Sequence, residues 1–335
     1  MPRNKDRPFA GTVTAALVAV ALVSLAACAA PPTPAPLVRL RIGFAKAPTG
    51  LPYYVMQEQG FDKQNGLQFE ELLQPTAPAM INALQAGSLD VCYVSTDGVL
   101  PAAENGLIPE TIIPVAANSF ADPEHPTTAV LVAPTISGWK DLEGRSIAVI
   151  TKTSPTTAAL KKRLLQEGVR NYTMVEVPIA NMGLAVAGGN VAAATMLEPY
   201  LTQSLLRGDG KTLGWIVGGS PIERMEVTMI VFRGEFYRKN PQGVKAFLRA
   251  QLASLKWMSQ NPSQTRSILV KRLDIAEEVG RKMTLPYWSL DARNDPALLE
   301  AIQPLLVEIG TVKAPIPARQ LYDETLLDQV LAEKP

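Results

Sequence analysis

The sequence predicts an α/β protein of two doubly wound lobes, joined by two chain crossovers, with a helical C-terminal part packing back on the first lobe. Three observations carry this. Strand and helix patterns alternate from residue 38 to about 116, and a second such series begins near Thr127. Residues 235–335 are then almost wholly helical in pattern, with stops at Pro241, Pro262, Pro286 and Pro296. A repeated β-then-α order predicts a parallel sheet covered by helices, with the ligand crevice beyond the carboxyl ends of the strands.

The first residues read as an address. Arg3, Lys5 and Arg7 precede an uncharged stretch from Phe9 to Ala27, and Leu25-Ala26-Ala27-Cys28 follows. A positive start, a short apolar run and small residues before a cleavage point make a secretory signal peptide over 1–27. The Leu-Ala-Ala-Cys tetrad resembles the lipobox of bacterial lipoproteins, which implies lipidation of Cys28 and anchoring on the extracytoplasmic face of the cell membrane. Residues 28–37 contain the Pro-rich run AAPPTPAP, read as a semi-rigid tether. The whole chain has 32 basic and 31 acidic residues; removing three basic and one acidic leaves 29 and 30, a net charge of −1. Such a balance does not suit a nucleic-acid binder, and no nucleic-acid partner is expected. Cys92 is then the single thiol and excludes an internal disulfide.

The body is read element by element. Strands are expected at Val38–Phe44, Leu67–Leu73, 90–94 and 111–116, with helices at 52–64, Ala77–Gln85 and 98–104 between them. Gly87 and Asn105-Gly106 stop the last two helices. The second series gives strands at 130–133, 147–150, 174–177, 191–195 and 212–217, and helices at 155–167, 179–187 and 197–206. A strand at 227–232 precedes the helical tail. Cys92 falls in a buried strand as a small core hydrophobe. His125, between Glu124 and Pro126, reads as a surface residue. Gly210-Lys211-Thr212 ends like a phosphate-binding loop, but Leu205 stands where that motif needs Gly.

Several motifs carry a family resemblance. Ile42-Gly43-Phe44, Leu51-Pro52-Tyr53-Tyr54-Val55 and Gly60-Phe61 are followed by the run from Ala83 to Val91, the run from Trp139 to Val149, and Glu198-Pro199-Tyr200. Their order and spacing over about residues 40–260 resemble the substrate-binding proteins of nitrate/sulfonate/taurine-type ABC importers. That family includes proteins binding riboflavin and thiamine-pyrimidine precursors. The resemblance implies a periplasmic-binding-protein type II fold, with 38–118 and 226–335 as lobe 1, 119–225 as lobe 2, and a hinge near 117–121 and 219–227. It also implies a monomer that hands a small molecule to an ABC permease and its ATPase subunit, with no cofactor and no turnover.

Cleft-facing loops are expected at 45–51, 74–78, 95–98, 118–126, 151–157 and 196–200. Thr76, Ser95, Thr96, Asp97, Thr153 and Ser154 stand at helix starts, where hydroxyls cap the helix or bind a polar ligand. None of these loops contains Arg, and their Lys residues are Lys46 and Lys152. A small anion is usually held by Arg. Tyr53, Tyr54 and Tyr200 offer rings for stacking, and Asp97, Asn118 and Glu198 offer groups for a polyhydroxy chain. Riboflavin or a related vitamin-like heteroaromatic is therefore the expected ligand, with sulfonate, taurine or nitrate as the alternative. A pyrimidine synthase of thiamine biosynthesis shares the fold, but the Cys-rich motif and His chemistry of that enzyme have no counterpart in a body with one thiol and one His. A ligand-sensing lipoprotein that signals without transport is the remaining class.

Overall fold

A computed structural model describes residues 37–74 and 76–333. The signal peptide, Cys28 and most of the tether lie outside the described residues. In chain order the first series is β1 (Val38–Phe44), α1 (Leu51–Glu58), α2 (Phe61–Gln64), β2 (Leu67–Leu73), α3 (Ala77–Gln85), β3 (Val91–Ser95), α4 (Thr96–Glu104) and β4 (Ile112–Ala121). The second is β5 (Thr128–Val132), β6 (Arg145–Val149), α5 (Pro155–Gln166), β7 (Tyr172–Glu176), α6 (Ile179–Ala187), β8 (Ala193–Leu197), α7 (Tyr200–Arg207) and β9 (Lys211–Val217). The chain then returns through β10 (Met225–Arg233) to α8 (Gly234–Lys239), α9 (Pro241–Gln260), α10 (Pro262–Leu273), α11 (Glu277–Lys282), α12 (Pro296–Glu308) and α13 (Thr325–Leu331).

Two five-stranded sheets result, ordered β2-β1-β3-β10-β4 and β7-β6-β8-β5-β9. The βαβ units are parallel: β1 pairs with β2 and β3, and β6 with β7 and β8. The sheets as wholes are mixed, which the β-then-α rule alone does not anticipate. β10 runs antiparallel to β3 and β4, and β5 antiparallel to β8 and β9. The reversed strands flank the places where the chain leaves one sheet for the other, at 122–127 and 218–224. Residues 117–121, expected as hinge, are the second half of β4, buried and paired with β10.

Local chemistry explains the other departures. The helix expected over 52–64 is two helices, broken at Gly60 with φ 71°, a left-handed turn that glycine adopts without strain. α1 is apolar around most of its circumference because it lies against α9 and α10, so Leu51 to Met56 are all buried. In the tail, α9 packs on α1 and α13 on α9 and β4. α12 instead packs on α5 of the second lobe as well as on β10. Its Leu299, Ile302 and Leu306, spaced for one helix face, enter a core shared by residues of both lobes. Cys92 is fully buried in β3, and desolvation pushes its thiol far above the ordinary range.

Candidate functional site

A cleft of about 730 Å³ lies between the two sheets. Its first-lobe wall comes from the segment after β1, the start and one face of α3, α4 with the turn after it, and the first residues of β10. The second-lobe wall is the start of β5, the segment after β6 (Ile150, Thr151, Thr153 and Ser154) with the first two residues of α5, and Leu197 at the end of β8. Gly310 and Thr311, after α12, complete the rim.

Three helices begin at this cleft. Thr76 caps α3, its hydroxyl accepting from the N–H of Ala79 at 3.4 Å. Ser154 caps α5, accepting from the N–H of Thr157 at 3.3 Å, and its hydroxyl lies 2.9 Å from that of Thr156. Each hydroxyl satisfies an amide that the helix leaves unpaired. Ser95 precedes α4 but does not cap it; its hydroxyl donates to Asp97 Oδ1. Burial pushes the Asp97 carboxyl above its ordinary value, although the Ser95 hydroxyl and a backbone N–H oppose the shift. Among the described residues lining the cleft, Asp97 is the single ionisable side chain, and no Arg, Lys or His reaches the wall.

The cleft therefore brings together Thr76, Ser95, Asp97, Thr153 and Ser154 of the residues singled out in the sequence. The others lie elsewhere. Tyr53 is 0% exposed and Tyr54 2%, both in the core beneath the sheet. The Tyr53 hydroxyl donates to Glu71 at 3.0 Å and accepts from Gln57 at 2.7 Å, and its ring packs 5.1 Å from that of Phe44. The Arg272 guanidinium covers the Tyr54 ring at 4.6 Å. Thr96 is buried on the inward side of α4, away from the cleft lining. Tyr200 packs half-buried on the second-lobe core. The expected stacking of a ligand on these three tyrosines has no place in this geometry.

Asn118 and Glu198 sit behind the walls. Asn118 donates to the carbonyl of Thr49 at 2.8 Å and to the hydroxyl of Thr228 at 3.0 Å, and accepts from Gln251 at 3.2 Å. It thus fixes two lining residues, Thr49 and Thr228, without lining the cleft. Glu198 accepts from the N–H and hydroxyl of Thr202 and, across the lobes, from the N–H of Thr284 at 3.3 Å. Burial raises its carboxyl, and those hydrogen bonds oppose the shift. His125 is partly exposed, with Nδ1 2.9 Å from Asp122. Asn82 and Gln85 on α3, Asn105, and the Gly310-Thr311 rim were not singled out in the sequence but line the cleft. The spacing of Asn82 and Gln85, three apart on a helix that starts at a cleft loop, is the one available signal. Nothing local marks Thr311.

Among the described residues, no group of three or more His, Cys, Asp or Glu is placed to hold a metal ion. No described helix is long and apolar enough to cross a membrane.

No curated protein matches the chain. Among solved structures it is similar to the ligand binding component of an ABC-type import system from Staphylococcus aureus with zinc bound, at 15% identity and TM-score 0.73, covering 87% of this chain and 98% of that one. It is also similar to the periplasmic aliphatic sulphonate binding protein SsuA from Escherichia coli, at 21% identity and TM-score 0.68, covering 87% and 99%. The periplasmic nitrate-binding protein NrtA from Synechocystis PCC 6803 aligns at 16% identity and TM-score 0.68, covering 88% of each chain. The two mixed sheets and the intervening cleft are thus the periplasmic-binding-protein fold. The NMT1-like family model matches residues 33–274, and the chain belongs to the NMT1-like family.

Proposed function

We propose that this protein is the solute-binding lipoprotein of an ABC importer, tethered through Cys28 on the extracytoplasmic face, and that it delivers its ligand unchanged to a permease and its ATPase subunit. The observation that carries the reading is the cleft itself: about 730 Å³, walled by both sheets, and lined by hydroxyls, amides and aliphatic side chains. A ligand touching both walls stabilises the closed arrangement, which a permease can read. In this reading the lobes of a monomer are those expected at 38–118 with 226–335 and at 119–225, with the boundaries drawn at the sheet ends so that 122–127 and 218–224 carry the swivel. A receptor is favoured over an enzyme because the described lining holds one carboxylate and no His, Cys or Lys, so its Ser95–Asp97 contact has no further ionisable group beside it to activate or orient it.

The ligand in this proposal is a non-anionic, vitamin-sized heteroaromatic, a class that holds riboflavin and the thiamine-type pyrimidines. No tyrosine lines the described cleft; its volume and cation-free lining support the class. A second reading, a sulfonate or nitrate, draws on the three helix starts at the cleft and on the names of two structural neighbours. The test is the ultraviolet–visible spectrum of the exported, purified protein, followed by a thermal-shift screen of flavins, pyrimidines, sulfonates and nitrate. Co-purified flavin, or a shift with a non-anionic heteroaromatic, supports the proposal. Tight binding of a sulfonate or nitrate alone replaces it with the second reading.

A further inference from the structure

The charge of the ligand follows from one residue, on the condition that the cleft is a receptor site as proposed. Asp97 is the only ionisable group among the described lining residues. It lies in the first turn of α4, and Ser95 donates to its Oδ1. Oδ2 takes no side-chain hydrogen bond among the described residues, and the residue is only partly shielded from the cleft. Around it the walls present aliphatic carbon from Ile81, Leu107, Ile150, Leu197 and Val227. A carboxylate in such surroundings without a counter-charge is costly, and burial accordingly pushes its proton affinity up. A cation brought by the ligand removes that cost; an anion adds repulsion at low local dielectric.

The helix starts do not reverse this preference. Thr76 and Ser154 already cap α3 and α5, and Asp97 itself occupies the first turn of α4. The positive end of each helix dipole is therefore partly answered by the protein. A planar guanidinium, which commonly marks a site for sulfonate or carboxylate, is missing from the described wall.

We infer that Asp97 is the specificity-determining residue of the cleft, pairing through Oδ2 with a positively charged nitrogen, an amine or amidine carried on an apolar body, and turning anions away. Within the heteroaromatic class this puts an amine-bearing or cationic ring ahead of the uncharged flavin.

The test is a charge series read by thermal shift and titration calorimetry on the purified full-length mature protein. Thiamine serves as the heteroaromatic cation, benzamidine as the small amidine, riboflavin as the neutral ring, and flavin mononucleotide and pentanesulfonate as anions. The expected result is binding of at least one cationic probe, at least tenfold weaker in D97N, with neither anion bound. E235Q, which removes an exposed carboxylate of α8 outside the cleft lining, is expected to bind the same cation within about threefold. Binding of either anion to the wild type overturns the inference, and that outcome does not depend on D97N folding. Riboflavin bound equally by wild type and D97N, with no cation bound, overturns the inference but leaves the receptor. No shift with any probe counts against both.

Discussion

The hydroxyl of Thr311 donates to the carbonyl oxygen of Thr153 at 2.6 Å, fastening the loop after α12 to the second lobe at the rim of the cleft. Two residues on, the N–H of Lys313 donates to Glu104 of the first lobe, also at 2.6 Å. One short loop therefore holds both walls. T311V removes the first of these bonds and leaves the loop's shape. A solvent-accessible hydrogen bond of this kind contributes about 0.5–1.5 kcal/mol. The expected outcome is faster amide hydrogen exchange confined to peptides around 309–313, with the melting temperature nearly unchanged. Exchange indistinguishable from wild type would show that the clasp does not hold the rim.

Asp90 binds two arginines at the far end of the first sheet. Arg41 Nε and Nη2 donate to it at 2.9 and 2.8 Å, and Arg233 Nη2 at 2.9 Å. Burial would raise its carboxyl, but the hydrogen bonds from both guanidinium groups outweigh burial and hold it below the ordinary value. A depressed folded value means stability that is present above the unfolded value and is lost as pH falls through the folded one. D90A leaves two guanidinium groups short of a partner and is expected to cost about 2–4 kcal/mol at pH 7, discounted because Arg41 is partly exposed. Urea unfolding at pH 7 and pH 3 checks this. The wild-type advantage should shrink at pH 3.

How much of this was legible in the sequence depends on the range of the interaction. Thr76 and Ser154 each precede a helix by one residue, and both cap it as a hydroxyl there should. Tyr53 and Tyr54 read as cleft aromatics because their segment follows a strand. The same six residues, Leu51 to Met56, are nearly all apolar, and a helix apolar all round is buried, as α1 is. That signal outranked position and was available. Thr311 meets Thr153 from 158 residues away, so no local pattern could announce it. Strand direction was equally hidden, because the antiparallel course of β10 depends on where the chain re-enters the first sheet.

Glu226, on β10 beside the crossover, predicts an alkaline weakness. It is buried; burial first, then the negative charges of Asp295 and Glu324, push its carboxyl up to about 8, against one opposing hydrogen bond from the Asp295 N–H. Its Oε1 has no hydrogen-bond partner among the described residues. Here the folded state holds a proton that the unfolded state has already released. Stability therefore falls as pH rises between the unfolded value, about 4.3, and about 8, with a slope of at most about 1.4 kcal/mol per pH unit. E226Q cannot ionise and should match wild type near pH 5 and exceed it in melting temperature at pH 9. Parallel melting curves for the two proteins from pH 5 to 9 would contradict this assignment.

Gly98 sets the distance between two of the helices that begin at the cleft. A Cβ there would lie 2.8 Å from Val94 Cγ2 and 2.9 Å from the Cβ of Ala77, the first residue of α3. Neither atom is the far end of a flexible chain, so relief requires α3 and α4 to separate. Overpacking of this kind costs about 1–3 kcal/mol, against which alanine in a helix gains about 1 kcal/mol over glycine. G98A should thus be mildly destabilised, and G98V, with two further methyl groups in the same gap, severely so. Because Thr76 and Asp97 ride on the two displaced helix starts, both variants should lose ligand-induced thermal shift out of proportion to their loss of stability. Gly138 is the control: its backbone is extended, at φ −154°, and a Cβ there meets nothing within 4 Å. G138A should change melting temperature and ligand response little. If G98A kept the full ligand shift, the spacing of α3 and α4 would not govern the cleft.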